Sequence, residues 1–520
     1  MITVNDNCTY ISNPQNNAKF VWVHDHLNTF VIESNRYCCT LTENTAIVFF
    51  LVNSPINHYL DNSIYSQVNI NAQEFWTILF ALLQKGLILK SKPHIRTSQP
   101  KLEVDTLVIK NKTHWVIGNV HNASLDYLHT PQAELILQNR LNDLPINLLE
   151  LLHARGYITF NKSSNCSIPQ APENYLVLSY GCNLKCSYCF ECNVSKNKFE
   201  MSDETLNSFL QMCSTIRSPY RIVLYGGVPL LAFSFKKIQK VINFISATPN
   251  CTLRVITNGI NVIESLPLFE RIKEKVSSFT ITLDGDQRIH DLRRVFKSGK
   301  GSYQVALHAV HVLTDSGFLC IVRINLDSTN YRKLDSLIND LNQLQHKNNV
   351  TISIARVENP TSMSFSPLSL SNIVESYFHI KALTDIHITS DIPILQYITQ
   401  CDLSNTNKKH FFPLRTMYCD STQINVFDTD GKIYSCNEGM GDVFFEKDGI
   451  LSDSNPSDKF STKCQNCSFF PLCYGNCPRI NHYNSKLGKF RCEEQEIRKS
   501  IELMCNRSEF HFIDFSIRPL

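Results

Sequence analysis

Residues 175–189 read YLVLSYGCNLKCSYC: an apolar run, YLVLS (175–179), followed at once by a loop that carries Cys182, Cys186 and Cys189 at C-x₃-C-x₂-C spacing. A run that is apolar throughout, without alternation, is the mark of a strand buried on both faces. The chain therefore sets three thiols on a loop at the end of a buried strand. Five further runs, largely apolar and β-branched, follow: RIVLYGG (221–227), LRVITNG (253–259), FTITLDG (279–285), IVRINL (321–326) and TISIARV (351–357). Helical periodicity separates them, as in SYQVALHAVHVLTDSG (302–317), where Gly317 is placed to end the helix. Strands alternating with helices predict an α/β fold with a parallel sheet, and six such units can curl into a partial (β/α)₆ TIM-like barrel. In that architecture chemistry gathers at the C-terminal strand ends. The cysteine loop, Gly226-Gly227, Asn258-Gly259 and Asp284-Gly285 all stand there.

Three thiolates this close can hold three irons of a 4Fe-4S cube and leave the fourth iron open. A zinc loop with three cysteine ligands is the other chemistry of this spacing, but the position after a buried strand favours the cube. An open iron can chelate the amine and carboxylate of S-adenosylmethionine (SAM), whose reductive cleavage gives a 5′-deoxyadenosyl radical. At this point the sequence resembles the radical SAM superfamily. Tyr188 stands where that family places an aromatic beside the adenine, and Tyr225-Gly226-Gly227-Val228-Pro229 resembles its Gly-Gly-Glu-Pro turn, which holds the SAM amino group. Thr257-Asn258-Gly259, Leu283-Asp284-Gly285, His290-Asp291, Arg293 and Gly299-x-Gly301-Ser302 look like blocks of its peptide-modifying members. Arg323 and Asn325 match an Arg-x-Asn strand that faces the SAM carboxylate and ribose. The resemblance thus implies SAM contacts at Tyr188, Gly226, Gly227, Asn258, Asp284, Arg323 and Asn325. Val228 departs from the family's Glu and cannot accept a hydrogen bond from an amine; Asp286 replaces a frequent Pro.

A second cysteine series comprises Cys419, Cys436 and then Cys464-x₂-Cys467-x₅-Cys473-x₃-Cys477, closing at Cys492. It resembles the SPASM extension of radical SAM maturases, which binds two auxiliary 4Fe-4S clusters. Carried over by position, Cys464, Cys467, Cys473 and Cys492 would hold one cube and Cys419, Cys436 and Cys477 the other. The second cube is one ligand short, with Asp420, Cys401 or an open iron as candidates. A zinc ribbon accounts for Cys464 and Cys467 alone. The remaining ten of the 20 cysteines (Cys8, Cys38, Cys39, Cys166, Cys192, Cys213, Cys251, Cys320, Cys401 and Cys505) are scattered and read as small buried hydrophobes.

The first 168 residues show an internal echo. QEFWTILFALLQKGLIL (73–89) and PINLLELLHARGYITF (145–160) are amphipathic helix patterns that end at Lys-Gly or Arg-Gly and run into a β segment, each preceded by a strand-like stretch, TFVIES (29–34) and HWVIGN (114–119). That is the outline of a small winged-helix-like α+β unit. The expected domains are a peptide-leader recognition region (1–95), a second small α/β unit or linker (96–168), the barrel (169–400) and a cysteine-rich SPASM domain (401–520). With 50 Lys and Arg against 47 Asp and Glu the chain has no basic surplus for a phosphate backbone, and no run of about 18 apolar residues for a bilayer. The start, MITVNDNCTY, lacks a charged segment followed by an apolar one. A cytoplasmic enzyme with neither nucleic-acid nor membrane partners is expected.

The resemblance implies a maturase of ribosomally made precursor peptides, supplied with electrons by a flavodoxin- or ferredoxin-type donor and installing a thioether or carbon-carbon crosslink. A sulfatase-type maturase that oxidises Cys or Ser to formylglycine is the alternative enzyme. If Val228 prevented SAM binding, a non-catalytic iron-sulfur scaffold that binds peptide would remain.

Overall fold

The computed structural model describes the backbone of seven short strands within residues 1–98, and then residues 99–103, 106–110, 115–119, 124–145, 148–149, 152–153, 156–160, 172–193, 199–358, 367–401, 424–447, 464, 467, 469–473, 475–487 and 491–507. The chain divides into two compact units, residues 1–165 with 508–520, and residues 166–507.

The larger unit is built on one sheet. Its strands are β1 (Glu173–Val177), β3 (Tyr220–Tyr225), β4 (Cys251–Thr257), β5 (Val276–Thr282), β7 (Cys320–Leu326), β8 (Val350–Arg356), β9 (His387–Ser390), β10 (Ile424–Phe427), β11 (Ile433–Tyr434) and β12 (Glu446–Lys447). Their order is β9-β8-β7-β5-β4-β3-β1-β10-β11-β12, parallel from β9 to β10 and antiparallel through the last two pairs. All six expected strands are present and lie side by side. Helices cross between them as a parallel sheet requires: α1 (Asp203–Ser214), α2 (Phe235–Ala247), α3 (Val262–Glu270), α5 (Tyr303–Asp315) and α6 (Asp335–Asn342). α1 starts where Ser202 accepts the Thr205 N–H at 3.2 Å, with Asp203 and Glu204 in its first turn. α5 stops as expected, with Gly317 at φ 75° and the Phe318 N–H closing onto the Leu313 carbonyl.

Two parallel strands were not foreseen. β9 (HITS) and β10 (INVF) are four residues each, and β10 lies past Gln400 in the part of the sequence where regular periodicity fades. Segments so short carry no usable period, and only the open edges beside β8 and β1 make strands of them. β10 draws the C-terminal region into the core, where Ile424, Val426, Tyr434, Met440 and Phe445 pack on Tyr175, Val177 and Val223. Buried Lys447 donates to Asn425, which donates to Asn174 on β1. Helices α7 (Leu370–Leu383), α8 (Pro393–Cys401), α9 (Phe470–Cys473), α10 (Pro478–Lys486) and α11 (Glu494–Cys505) complete this unit.

The smaller unit shows the same strand order twice. Lys19–Trp22, Phe30–Glu33 and Cys38–Leu41 form one three-stranded antiparallel sheet, and Thr106–Lys110, Trp115–Asn119 and Ser124–Leu128 another. The stretches TFVIES and HWVIGN supply the middle strand of each. A later strand then pairs antiparallel with one that precedes the three: Ile88–Ser91 with Thr9–Ser12, and Ile158–Thr159 with Lys101–Leu102. The helix pattern at 73–87 lies outside the described residues. In the second copy a helix, Thr130–Leu137, follows the three strands, and Val108, Ile117, Leu128, Ala133, Ile136, Leu148, Leu152 and Ile158 share a core. Tyr157 donates to buried Asp126 at 2.5 Å, tying the last strand to the sheet.

Candidate active site

At the C-terminal strand ends the larger unit encloses a cavity of about 420 Å³, lined by Cys182, Cys186 and Cys189 and also by Cys436, Cys473 and Cys477. The first three sit on a loop held by backbone pairing. Its middle, β2 (Leu184–Cys186), runs antiparallel to β6 (Arg294–Phe296), with Cys186 opposite Arg294. Ser187 N–H donates to the Arg293 carbonyl at 2.9 Å, Lys297 N–H to the Asn183 carbonyl at 3.1 Å, and the Asn258 amide to Asn183 Oδ1 at 2.8 Å. The three cysteines are half-buried and in no disulfide, and Leu184 N–H donates to Cys182 Sγ at 3.4 Å. Burial raises the Cys182 pKa.

Behind the loop lies a buried polar knot. The Tyr188 hydroxyl donates to Asp284, and accepts from Arg294 at 2.7 Å and from the Asn325 amide at 3.2 Å. The Arg293 guanidinium stacks 4.9 Å from the centre of the Tyr188 ring and pairs with Asp327 and, at 3.5 Å, with Asp284. Asp284 also accepts the Asn325 N–H at 3.0 Å. Of the seven residues expected to touch SAM, Tyr188, Gly226, Gly227, Asn258, Arg323 and Asn325 line the cavity. Asp284 does not: it is wholly buried and holds Tyr188 and Asn325, which do. The block from His290 to Ser302 has the same supporting part. His290 accepts the Asp284 N–H on Nδ1, so Nε2–H faces Ser302, whose hydroxyl donates to the Arg294 carbonyl at 2.5 Å. Burial lowers the His290 pKa to about 3, which keeps the ring neutral. Asp291 accepts the Tyr303 N–H, and a side chain at Gly301 would collide with it.

The Gly226-Gly227 turn presses on the strand before the cysteine loop. A Cβ on Gly227, at φ 48°, would stand 2.2 Å from the Gly181 carbonyl oxygen. Opposite it, β4 and β7 alternate so that Arg254 and Ile256, and Arg323 and Asn325, face the cavity while Val255 and Ile324 face the core. Arg323 is aimed by Asn325 at 3.0 Å and Asp391 at 3.2 Å. Sequence reading passed over Glu191, Arg254, Arg294, Arg356, Glu358, Asp391, Glu438 and Arg479, all on the cavity wall. None of them belongs to a motif of its own, and only the period-2 alternation of β4 could have singled out Arg254.

Several of the C-terminal cysteines act electrostatically on one another. After burial, the charges acting on Cys464 are those of Cys467 and Cys492, and on Cys473 those of Cys467 and Cys464. Cys477, pushed by burial to about 12, next feels Cys436. Cys419 and Asp420 lie outside the described residues, and Cys401 is buried at the end of α8. Among the described residues no three His, Cys, Asp or Glu side chains converge on a single metal ion. A 4Fe-4S cube asks for a different arrangement, one thiolate per iron, and the thiols of Cys182, Cys186 and Cys189, on one loop and lining one cavity, fit it. Cys213, Cys251 and Cys320 are buried core residues, as expected. No described helix is long and apolar enough to cross a membrane.

Residues 176–341 match the model of the radical SAM superfamily, whose cofactors are a 4Fe-4S cluster and SAM. The chain is 23% identical over 344 residues to a cysteine-type anaerobic sulfatase-maturating enzyme of Clostridium novyi, an alignment covering 59% of this chain and 87% of that one. It is 24% identical over 164 residues to the sporulation killing factor maturation protein SkfB of Bacillus subtilis, covering 31% of this chain and 38% of the relative. Among solved structures, native anSMEcpe with bound AdoMet superposes with a TM-score of 0.47 at 19% identity, covering 65% of this chain and 100% of the other.

Proposed function

We propose, from the premise that residues 176–341 form a radical SAM domain, that the chain is a maturase of ribosomally made peptides that installs a thioether or carbon-carbon crosslink. The observation that carries this reading is the shared cavity, onto which both cysteine series open. Cys182, Cys186 and Cys189 would hold the SAM-binding cluster, and the C-terminal cysteines the auxiliary ones. When bound, the cluster supplies the electron that cleaves SAM and so the power to abstract hydrogen. Tyr188, fixed from three sides, would carry the adenine. Arg323, aimed by Asn325 and Asp391, would meet the SAM carboxylate. Arg254, Arg356 and Arg479, each paired with a carboxylate, add guanidinium donors to the rest of the wall that suit a peptide's carbonyl groups.

The N-terminal unit would serve as the leader-binding module of winged-helix type. Its three-stranded antiparallel sheets end, among the described residues, in edge strands of the kind to which an extended peptide adds as a strand. Sulfatase-type maturation is the second reading, and the cysteine-type relative from Clostridium novyi favours it. Anaerobic reduction of the iron-loaded chain with SAM should yield 5′-deoxyadenosine; its absence would remove both readings and leave the scaffold. Mass spectrometry then separates the two enzymes. A thioether joins a cysteine sulfur to a carbon with loss of two hydrogens, whereas formylglycine formation from cysteine replaces the sulfur by an oxygen and also removes two hydrogens. A change in tryptophan fluorescence on adding a leader peptide would support the docking module, since all three tryptophans lie in residues 1–165.

A further inference from the structure

The strand pair that carries the cysteine loop has two faces, and its register separates them. Leu184 stands opposite Phe296 and Cys186 opposite Arg294, and Leu184, Cys186 and Arg294 line the cavity. Lys185 and its partner Val295 belong to the other face, as alternation along a strand requires. Lys297, two positions past Val295, gives its N–H to the Asn183 carbonyl at 3.1 Å and continues that outer face. Lys300 closes the turn beyond it, where its carbonyl accepts the Phe296 N–H at 2.9 Å. All three lysines are exposed, none has an ion pair among the described residues, and segments 184–187 and 294–301 contain no Asp or Glu. The exposed Ser187 gives its N–H to the Arg293 carbonyl, which brings the end of α4 (Gln287–Arg293) to the same loop. There Leu292 is left 69% exposed.

We propose that this outer face is the docking surface for a small acidic one-electron carrier protein. The proposal rests on the radical SAM reading, in which SAM cleavage consumes one electron that has to reach the cluster at Cys182, Cys186 and Cys189 from outside. The cavity side of the loop is the side on which SAM and peptide would lie, so the opposite face is the open approach. Cys186 is the chain neighbour of Lys185, and a carrier seated on the lysines is one strand's thickness from the thiol. It gives up one electron to the cluster, and no bond forms or breaks. The arginines Arg254, Arg323, Arg356 and Arg479 of the cavity wall are each paired with a carboxylate, whereas the lysines outside are not neutralised and draw an acidic partner toward the loop. A small cationic patch with one apolar side chain suits electron-transfer encounters, which bury less than about 1,200 Å².

The test uses the full-length chain with its clusters reconstituted anaerobically, and follows by freeze-quench EPR the reduced-cluster signal that Cys186→Ala lacks. The reductants are an acidic flavodoxin, an acidic ferredoxin and photoreduced 5-deazariboflavin, which is small and uncharged. Lys185→Glu combined with Lys297→Glu should slow reduction by both proteins about 10- to 100-fold at low salt. Reduction by deazariboflavin and iron content should stay within about twofold of wild type. Wild-type rates with the two proteins should fall steeply between about 0.01 and 0.5 M salt, a readout that needs no variant. The same charge change at the N-terminal strand ends, Arg217→Glu with Arg271→Glu, both exposed and ahead of β3 and β5, should slow the proteins by less than about threefold. Equal slowing in the two double variants or with all three reductants, or wild-type rates independent of salt, would overturn the surface. So would a cluster that deazariboflavin reduces and neither protein does. A loaded chain with no signal that depends on Cys186 would instead overturn the radical SAM reading, and the surface with it.

Discussion

Around Cys182, Cys186 and Cys189 the backbone itself does the holding: β2 pairs with β6, the flanking residues add main-chain bonds, and the Gly-Gly turn packs against Gly181. Around Cys464, Cys473, Cys477 and Cys492 the described residues include no strand, and side-chain contacts do the holding that they show. Arg356 and Arg491 bridge Glu358 and Glu493 in a nearly buried quartet, with contacts of 2.5 to 3.1 Å, which fastens the segment bearing Cys492 to the end of β8. Cys477 stands instead at the start of α10. Backbone pairing tolerates change in most side chains, while an ionic quartet fails when one member is lost. The first cysteine site should therefore respond to backbone geometry, and the second to single charges.

The largest effect expected is all-or-none. Cys186→Ala should abolish 5′-deoxyadenosine formation, whereas Cys467→Ala should lower bound iron and peptide crosslinking but leave SAM cleavage within about tenfold of wild type. Equal loss of SAM cleavage in both variants would erase the distinction between the regions. Next comes Gly227→Ala, where the new Cβ meets a carbonyl oxygen. A loss of about 2–4 kcal/mol in denaturation with loss of SAM binding would show that main-chain fit governs the first site. Glu493→Gln should then cost about 2–3 kcal/mol, seen as faster hydrogen exchange along α11, with SAM affinity unchanged within about twofold.

The smallest effect concerns the knot behind the cysteine loop. His290 is neutral in the folded chain down to about pH 3, while the unfolded chain takes up its proton near 6.5. Stability should thus fall as the pH drops from 7.5 to 5.5, by about 1–1.5 kcal/mol from this group. His290→Gln should remove that part of the slope in urea titrations, and an unchanged slope would show that other groups set it.

How much of this was legible depended on length and period. The six long strands were visible because each is a largely apolar, β-branched run separated from the next by a helical pattern. β9 and β10 were not, since four residues such as INVF carry no period and acquire their state from a neighbouring edge. Six of the seven motif positions line the cavity, and their place along the chain does not say what each residue does there. Asp284, His290, Asp291 and Ser302 fall within the expected blocks, yet they brace the loop and Tyr188 instead of reaching the cavity. Glu191 was hidden because one acid after a cysteine has no pattern of its own.

By itself the sequence determined the cysteine spacings, the alternation of strand and helix, the double echo near the N-terminus and the missing acid at Val228, since all of these are properties of order along the chain. The tertiary structure alone decided that both cysteine series open on one cavity, that Asp284 lies behind it, and that Glu191 meets Gly227 across 36 positions. Those facts depend on which strand ends come together, and the distances between elements far apart in the chain are set by packing rather than by local preference.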